Sequence, residues 1–266
     1  MKKSLVALSS ILLLPTLAYG GVVMDMVTRN AAGQETDRTR IYAQSKMIRM
    51  EQVVEDEAEP ENTMIFLGNE FLYVNHEDES YIVMDESMID DVSAQISDAM
   101  KEMEAELANM PPEQRAMVEQ MMKGRMQGMM GQQKAPSAGP RIESVGSGKW
   151  NSYKCREYAV FIGPEKTQDI CAADLDDVDG ADEVIEAFRG MAAYMQKMTE
   201  SMPMMPEDQM NPGKLMSEID GFPVHTVDYK NGEVTGDVSL DSVTEKNLEP
   251  DMFAAPDGYR RENPFR

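Results

Sequence analysis

Residues 87–130 read SMIDDVSAQISDAMKEMEAELANMPPEQRAMVEQMMKGRMQGMM, and the reading of this stretch decides the architecture. Val92, Ile96, Met100, Met103, Leu107 and Met110 follow one another at steps of four, four, three, four and three. That spacing puts all six on one face of an α-helix. The opposite face carries Asp, Lys, Glu and Asn. Ser87 and Asp90 have the spacing of a capping box, and Asp90 and Asp91 sit where a helix N-terminus favours negative charge. Pro111-Pro112 interrupts this helix, because proline removes a donor and disfavours helical geometry in the residue before it. A second helix is expected beyond it, with Val118, Met121, Met122, Met126 and Met129 on a shared face. Ten of the chain's 26 methionines lie in this insert.

The flanking sequence has a different period. Before the insert, residues 21–29, 38–44, 46–54, 63–67, 71–74 and 81–85 read as strands. Ile48 and Met50 alternate with Arg49 and Glu51, the pattern of a half-buried strand. Gly68-Asn69 marks a hairpin. After the insert, residues 131–140 (GQQKAPSAGP) form a small polar linker. Strands are then expected at 141–149, 153–162, 166–173, 215–219, 222–229 and 233–243, the last two joined at Asn231-Gly232. A third helix is expected from 181 to 202, with Val184, Phe188, Met191, Met195, Met198 and Met202 on one face. Residues 249–254 read as a short helical turn. Sequential hairpins imply an antiparallel sheet, and helices gathered on one side of it imply an α+β layer fold. The expected form is a large curved antiparallel β-sheet, a half-barrel, with methionine-rich amphipathic helices over its concave face.

The first twenty residues have the form of a signal peptide: Lys2-Lys3, an apolar run from Leu5 to Leu17, then Ala18-Tyr19-Gly20. The run is short for a membrane span. Cleavage is expected after Gly20, leaving a single soluble periplasmic domain of residues 21–266 with no integral membrane segment. No cysteine follows the leader directly, so a lipid anchor of the bacterial lipoprotein kind is not expected. Cleavage leaves 23 basic and 48 acidic residues, a net charge of −25. Such a surface argues against nucleic acid or anionic lipid headgroups as partners. In an exported chain Cys155 and Cys171 are expected to pair. They lie eight residues either side of Gly163, which opens a turn, so they are expected to be cross-strand neighbours in one hairpin.

The chain offers little catalytic chemistry. His76 reads as a solvated turn residue and His225 as a sheet-surface residue; neither has a second histidine at zinc-ligand spacing. Residues 174–186 resemble a calcium loop with Asp177, Asp179 and Glu186 as ligands, but Leu175 stands where the first carboxylate is required. No nucleophile, phosphate loop or Ser-His-Asp order stands out, and no cofactor is expected. The methionine stripes admit three readings: a plain core-facing surface, an adaptable lid over a hydrophobic ligand, or a thioether metal site. The lid would use Met100, Met103, Leu107, Met121, Met191, Met195 and Met198. A Cu(I) site would use Met202, Met204, Met205 and Met210, which lie in a proline-broken loop.

Several short motifs resemble an exported bacterial family known as domain of unknown function 4412. They are Lys154-Cys155-Arg156-Glu157-Tyr158 with Cys171-Ala172-Ala173-Asp174, the turn Gly221-Phe222-Pro223-Val224, the ending Phe253-Ala254-Ala255-Pro256-Asp257-Gly258-Tyr259, and Met110-Pro111-Pro112-Glu113-Gln114-Arg115. That family is similar in architecture to periplasmic lipoprotein carriers of the LolA/LolB type. The resemblance implies a non-enzymatic binding or carrier protein for a lipid, an acyl chain or a lipidated protein, with transient contacts to other envelope proteins. The proline-broken methionine helix is also similar to small periplasmic stress chaperones, so a chaperone-like envelope protein without a small ligand is the remaining alternative.

Overall fold

The structure, a computed structural model, describes residues 20–53, 60–111, 140–201 and 218–263. The leader, most of the linker and the second half of the methionine insert lie outside the described residues. Among the described residues twelve strands form one sheet. They are β1 (Gly21–Asn30), β2 (Glu35–Gln44), β3 (Met47–Gln52), β4 (Asn62–Phe66), β5 (Phe71–Asn75) and β6 (Ser80–Met84), then β7 (Arg141–Trp150), β8 (Tyr153–Ile162), β9 (Glu165–Ala173), β10 (Phe222–Lys230), β11 (Glu233–Lys246) and β12 (Arg260–Glu262). The α-helices among the described residues are α1 (Glu86–Asn109) and α2 (Ala181–Ser201).

The strand order is β12-β6-β5-β4-β3-β2-β1-β11-β10-β9-β8-β7. Two hairpin meanders, β1–β6 and β7–β11, are therefore joined back to back through the antiparallel pair β1·β11. The sheet is open, with β7 and β12 at its edges. All pairings are antiparallel except β12, which runs parallel to β6. β12 is an addition to the expected strands, since three exposed residues carry no period to read. Most of the strand expected at 215–219 lies outside the described residues; Ile219 is buried in a cluster with Tyr158, Val160, Ile170 and Ala172.

Local chemistry explains most boundaries. Asn231 and Gly232 both have positive φ, as a two-residue hairpin requires. Met110 ends α1 in extended geometry at φ −80 and ψ 148, the conformation that Pro111 imposes on the residue before it. The N-cap of α1 corrects the expected capping box. Asp85, not Ser87, accepts the Met88 N–H at 2.9 Å, and Ser87 donates its hydroxyl to the same carboxylate. That N–H bond holds the Asp85 carboxyl below the usual range. An aspartate in extended geometry at 85 reaches the free N–H groups two residues earlier than the apolar stripe alone would suggest.

The expected disulfide is present, with Cα atoms 5.3 Å apart. Its register differs from the symmetric one. Cys155 faces Ala173 and Cys171 faces Glu157, so the two cysteines are diagonal neighbours. A register shift beside Val160 and Phe161 moves the pairing off the midpoint at Gly163.

The helices differ in their packing. α2 lies against β1, β2 and β3, and its first turns are closed, with Ala181, Val184, Ile185 and Ala187 all buried. Gly180 makes this possible: it sits at φ +65, and a Cβ there would meet Val22 at 2.7 Å. α1 packs against β6 and α2 instead. The two helices therefore pack on different elements, α2 on β1–β3 and α1 on β6 and α2.

Candidate functional site

The period of two along each strand and the cross-strand register together assemble one apolar surface. A first row runs Val22, Ala43, Ile48, Phe66, Phe71 and Met84 across six neighbouring strands. A second row, two residues further along, runs Met24, Ile41, Met50, Met64, Tyr73 and Ile82. A third is polar at most positions: Met26 faces Thr39, which faces Gln52, while Asn62 faces Asn75, which faces Ser80. The apolar band is therefore two rows wide, roughly 7 Å between rows and about 24 Å across six strands at ordinary sheet spacings.

α2 closes the first row. Phe66 and Phe71 pack ring to ring at 4.9 Å, and both meet the Tyr194 ring at 5.9 and 5.6 Å. The Tyr194 hydroxyl donates to the Met84 carbonyl at 3.2 Å, pinning the helix to the end of β6. Burial first, then the nearby carboxylates of Asp85, Glu70 and Glu86, push the Tyr194 phenol up, so it stays a donor. The second row opens from β1 to β5 and closes partly again at Ile82, which is half-buried. Met24 is 0% exposed and Ile41 7%, Met50 and Met64 are half-buried, and Tyr73 is 41% exposed. Met50, Met64 and Met84 pack against the same core as Met191, Tyr194 and Met198 of α2.

Among the residues expected to form a lid, Met191 and Met198 join this core as half-buried side chains. Met195 and Met100 are exposed, at 46% and 42%. Met103 and Leu107 are half-buried on α1. Met121 lies outside the described residues, as do Met202, Met204, Met205 and Met210. Met26, Met50, Met64 and Met84 were absent from the expected set. Alternation with Ile48 in β3 marks Met50 in the sequence, whereas Met26, Met64 and Met84 join it only through cross-strand register.

Both histidines correct their sequence reading. His76 is not a free turn residue: it lies 2.9 Å from the Thr63 hydroxyl and 3.0 Å from the Tyr259 hydroxyl, tying the β5–β6 turn to the C-terminal segment. His225 is half-buried, stacked on Trp150 with ring centroids 3.6 Å apart and planes 4° from parallel. Its Nε2 is 3.4 Å from Asp237, which also meets Arg29. Burial lowers the His225 pKa, against the opposing pull of Asp237. Arg29 donates to the Ser239 hydroxyl at 2.7 Å. That bond takes up the neighbouring hydroxyl, and the cluster has the form of a structural brace.

Among the described residues no group of three or more His, Cys, Asp or Glu side chains is placed to hold a metal ion. No helix among them is long and apolar enough to cross a membrane. A cavity of about 400 Å³ lies at the Val22 end of the first row, lined by Gly20, Gly21, Val22, Gly180, Asp182 and Glu183 together with Glu245, Lys246 and Asn247.

Residues 100–259 match the family model described as Domain of unknown function (DUF4412). No curated protein matches the sequence. Among solved structures, the chain is similar to an uncharacterized conserved protein from Thermus thermophilus, with 9% identity, a TM-score of 0.42, and coverage of 92% of this chain and 91% of that one. It is also similar to PNGF-II, at 8% identity and a TM-score of 0.40, covering 92% of this chain and 31% of that one. A LolA superfamily protein from Nitrosomonas europaea matches at 5% identity and a TM-score of 0.31, over 88% of this chain and 90% of that one.

Proposed function

The chain belongs to the DUF4412 family, and from that premise we propose that it is a non-enzymatic exported binding or carrier protein for an apolar ligand. The ligand class is an acyl chain, a lipid or a lipidated protein. One observation carries the reading: the second cross-strand row passes from closed at Met24 to open at Tyr73, with Met50 and Met64 between them. An apolar row left half open beside a helix is a place where a ligand gains affinity by covering surface. At about 25 cal/mol per Å², burial of some 300 Å² of ligand and protein apolar area contributes about 7 kcal/mol before the costs of association.

Methionine suits this task because its unbranched thioether side chain adapts to variable partners. Met191, Met195 and Met198 on α2, with Met100, Met103, Leu107 and Met121 in the insert, supply the covering surface. The disulfide accords with an oxidising compartment, and the periplasm is the compartment we assign. Leader removal after Gly20 belongs to the same reading.

Native mass spectrometry on protein purified from its own compartment without reductant tests this. An adduct of a few hundred daltons that fragments to fatty acid is expected, and M50E/M64E should lose it while still folding. Replacing Met103 and Met195 with Asp should also abolish retention and leave export intact. A bare wild-type mass, or an adduct unchanged in folded M50E/M64E, refutes the proposal. A mass shift matching copper would favour the thioether alternative.

A further inference from the structure

A methionine thioether carries a sulfur lone pair that a two-electron oxidant attacks, and access decides the order in which thioethers react. The chain has 26 methionines, and both of its cysteines are joined in the disulfide, so no thiol competes for such an oxidant. Access differs widely among the described methionines. Met24 is 0% exposed, and Met50, Met64, Met84, Met191 and Met198 are half-buried. Met100 and Met195 are the two exposed methionines among the described residues, at 42% and 46%.

Met195 stands where a change of polarity has consequences. It follows Met191 by four residues and precedes Met198 by three on the stripe of α2, and both neighbours pack on the core that Met50, Met64 and Met84 share. The adjoining Tyr194 anchors this turn through its bond to the Met84 carbonyl and its ring contacts with Phe66 and Phe71. An oxygen added to the Met195 sulfur therefore makes the stripe polar while the groups that hold the helix down are untouched. Met100 lies on α1, which packs against α2. We propose that Met100 and Met195 are oxidation sites at which a peroxide switches off apolar-ligand binding while the fold persists. The proposal rests on the carrier reading and adds a regulation to it. In each step the sulfur lone pair attacks one oxygen of hydrogen peroxide. The O–O bond breaks, that oxygen stays on sulfur as a sulfoxide, and the other leaves as water. Sulfur is oxidised by two electrons and the peroxide is reduced by two. The sulfoxide oxygen is a hydrogen-bond acceptor, and an apolar ligand laid over it leaves it unpaired.

The test uses the full chain, graded hydrogen peroxide, and the neutral apolar dye N-phenyl-1-naphthylamine as the probe. Peptide mass mapping should find one added oxygen at Met100 and Met195 before Met24, Met50 or Met64. Protein oxidised at those two positions should keep its circular dichroism and cooperative melting, and should bind the dye at least about tenfold more weakly. In M100L/M195L the dye affinity, whatever its starting value, should be the same before and after peroxide. Oxidation of Met50 or Met64 ahead of the pair, loss of cooperative melting on oxidation of the pair, or an equal peroxide effect in M100L/M195L overturns the proposal. Dye binding that survives oxidation of the pair refutes the switch alone. Failure of the untreated protein to bind the dye refutes the carrier reading and the switch with it.

Discussion

Phe66→Ala tests how α2 is held over the sheet. Phe66 is 0% exposed, at the centre of the first apolar row. It touches Phe71 and Tyr194, and Gly190 on α2 lies so close that a Cβ there would be 3.5 Å from the Phe66 ring. Truncating a fully buried phenylalanine costs about 3–5 kcal/mol, the transfer term plus the cavity left behind. The upper end is expected here, because two aromatic contacts worth about 0.5–1.5 kcal/mol each go with it. For a chain of this size 1 kcal/mol moves the melting temperature by about 2–4 °C, so the loss should be of order 10 °C. Urea unfolding followed by circular dichroism and by fluorescence of the single tryptophan, Trp150, gives two probes of the same transition. Tyr194→Phe serves as a milder companion: it removes only the bond to the Met84 carbonyl and should cost about 1 kcal/mol. A loss below about 1 kcal/mol for Phe66→Ala would mean that the ring does not anchor the helix, and the closed first row would have to be abandoned.

Reducing the disulfide should lower stability by about 3 kcal/mol, the chain-entropy value for a loop of this length, and a C155A/C171A variant should match the reduced protein; identical urea midpoints with and without reductant contradict this. The lowered pKa of His225 means that the folded state holds fewer protons than the unfolded one between its folded value and 6.5. Its contribution is therefore fully present above 6.5 and declines as pH falls through that window. His225→Phe keeps a ring against Trp150 and should flatten the dependence of the unfolding midpoint between pH 7 and 5; an unchanged slope sinks the assignment.

Much of this fold follows from local chemistry. Alternation in β3, Asn231-Gly232, the stripe of α2 and the proline after Met110 each specify one element, because dihedral preference and side-chain period act over a few residues. The disulfide partners were also legible, since two cysteines leave one possible pairing. Three things were not. The pairing of Gly21–Asn30 with a strand more than two hundred residues away joins the two meanders, and no local pattern encodes a partner that distant. The apolar band exists only because register places Met50 beside Met64 and Ile41, residues with no sequence relation to each other. Finally, periodicity tells which side chains of α1 share a face, but not whether another element covers it. Ile185 on α2 is closed at 2% exposure and Ile96 on α1 is open at 40%, although both belong to apolar helical faces. Only tertiary packing decides that difference, because burial is a property of neighbours brought in from elsewhere in the chain.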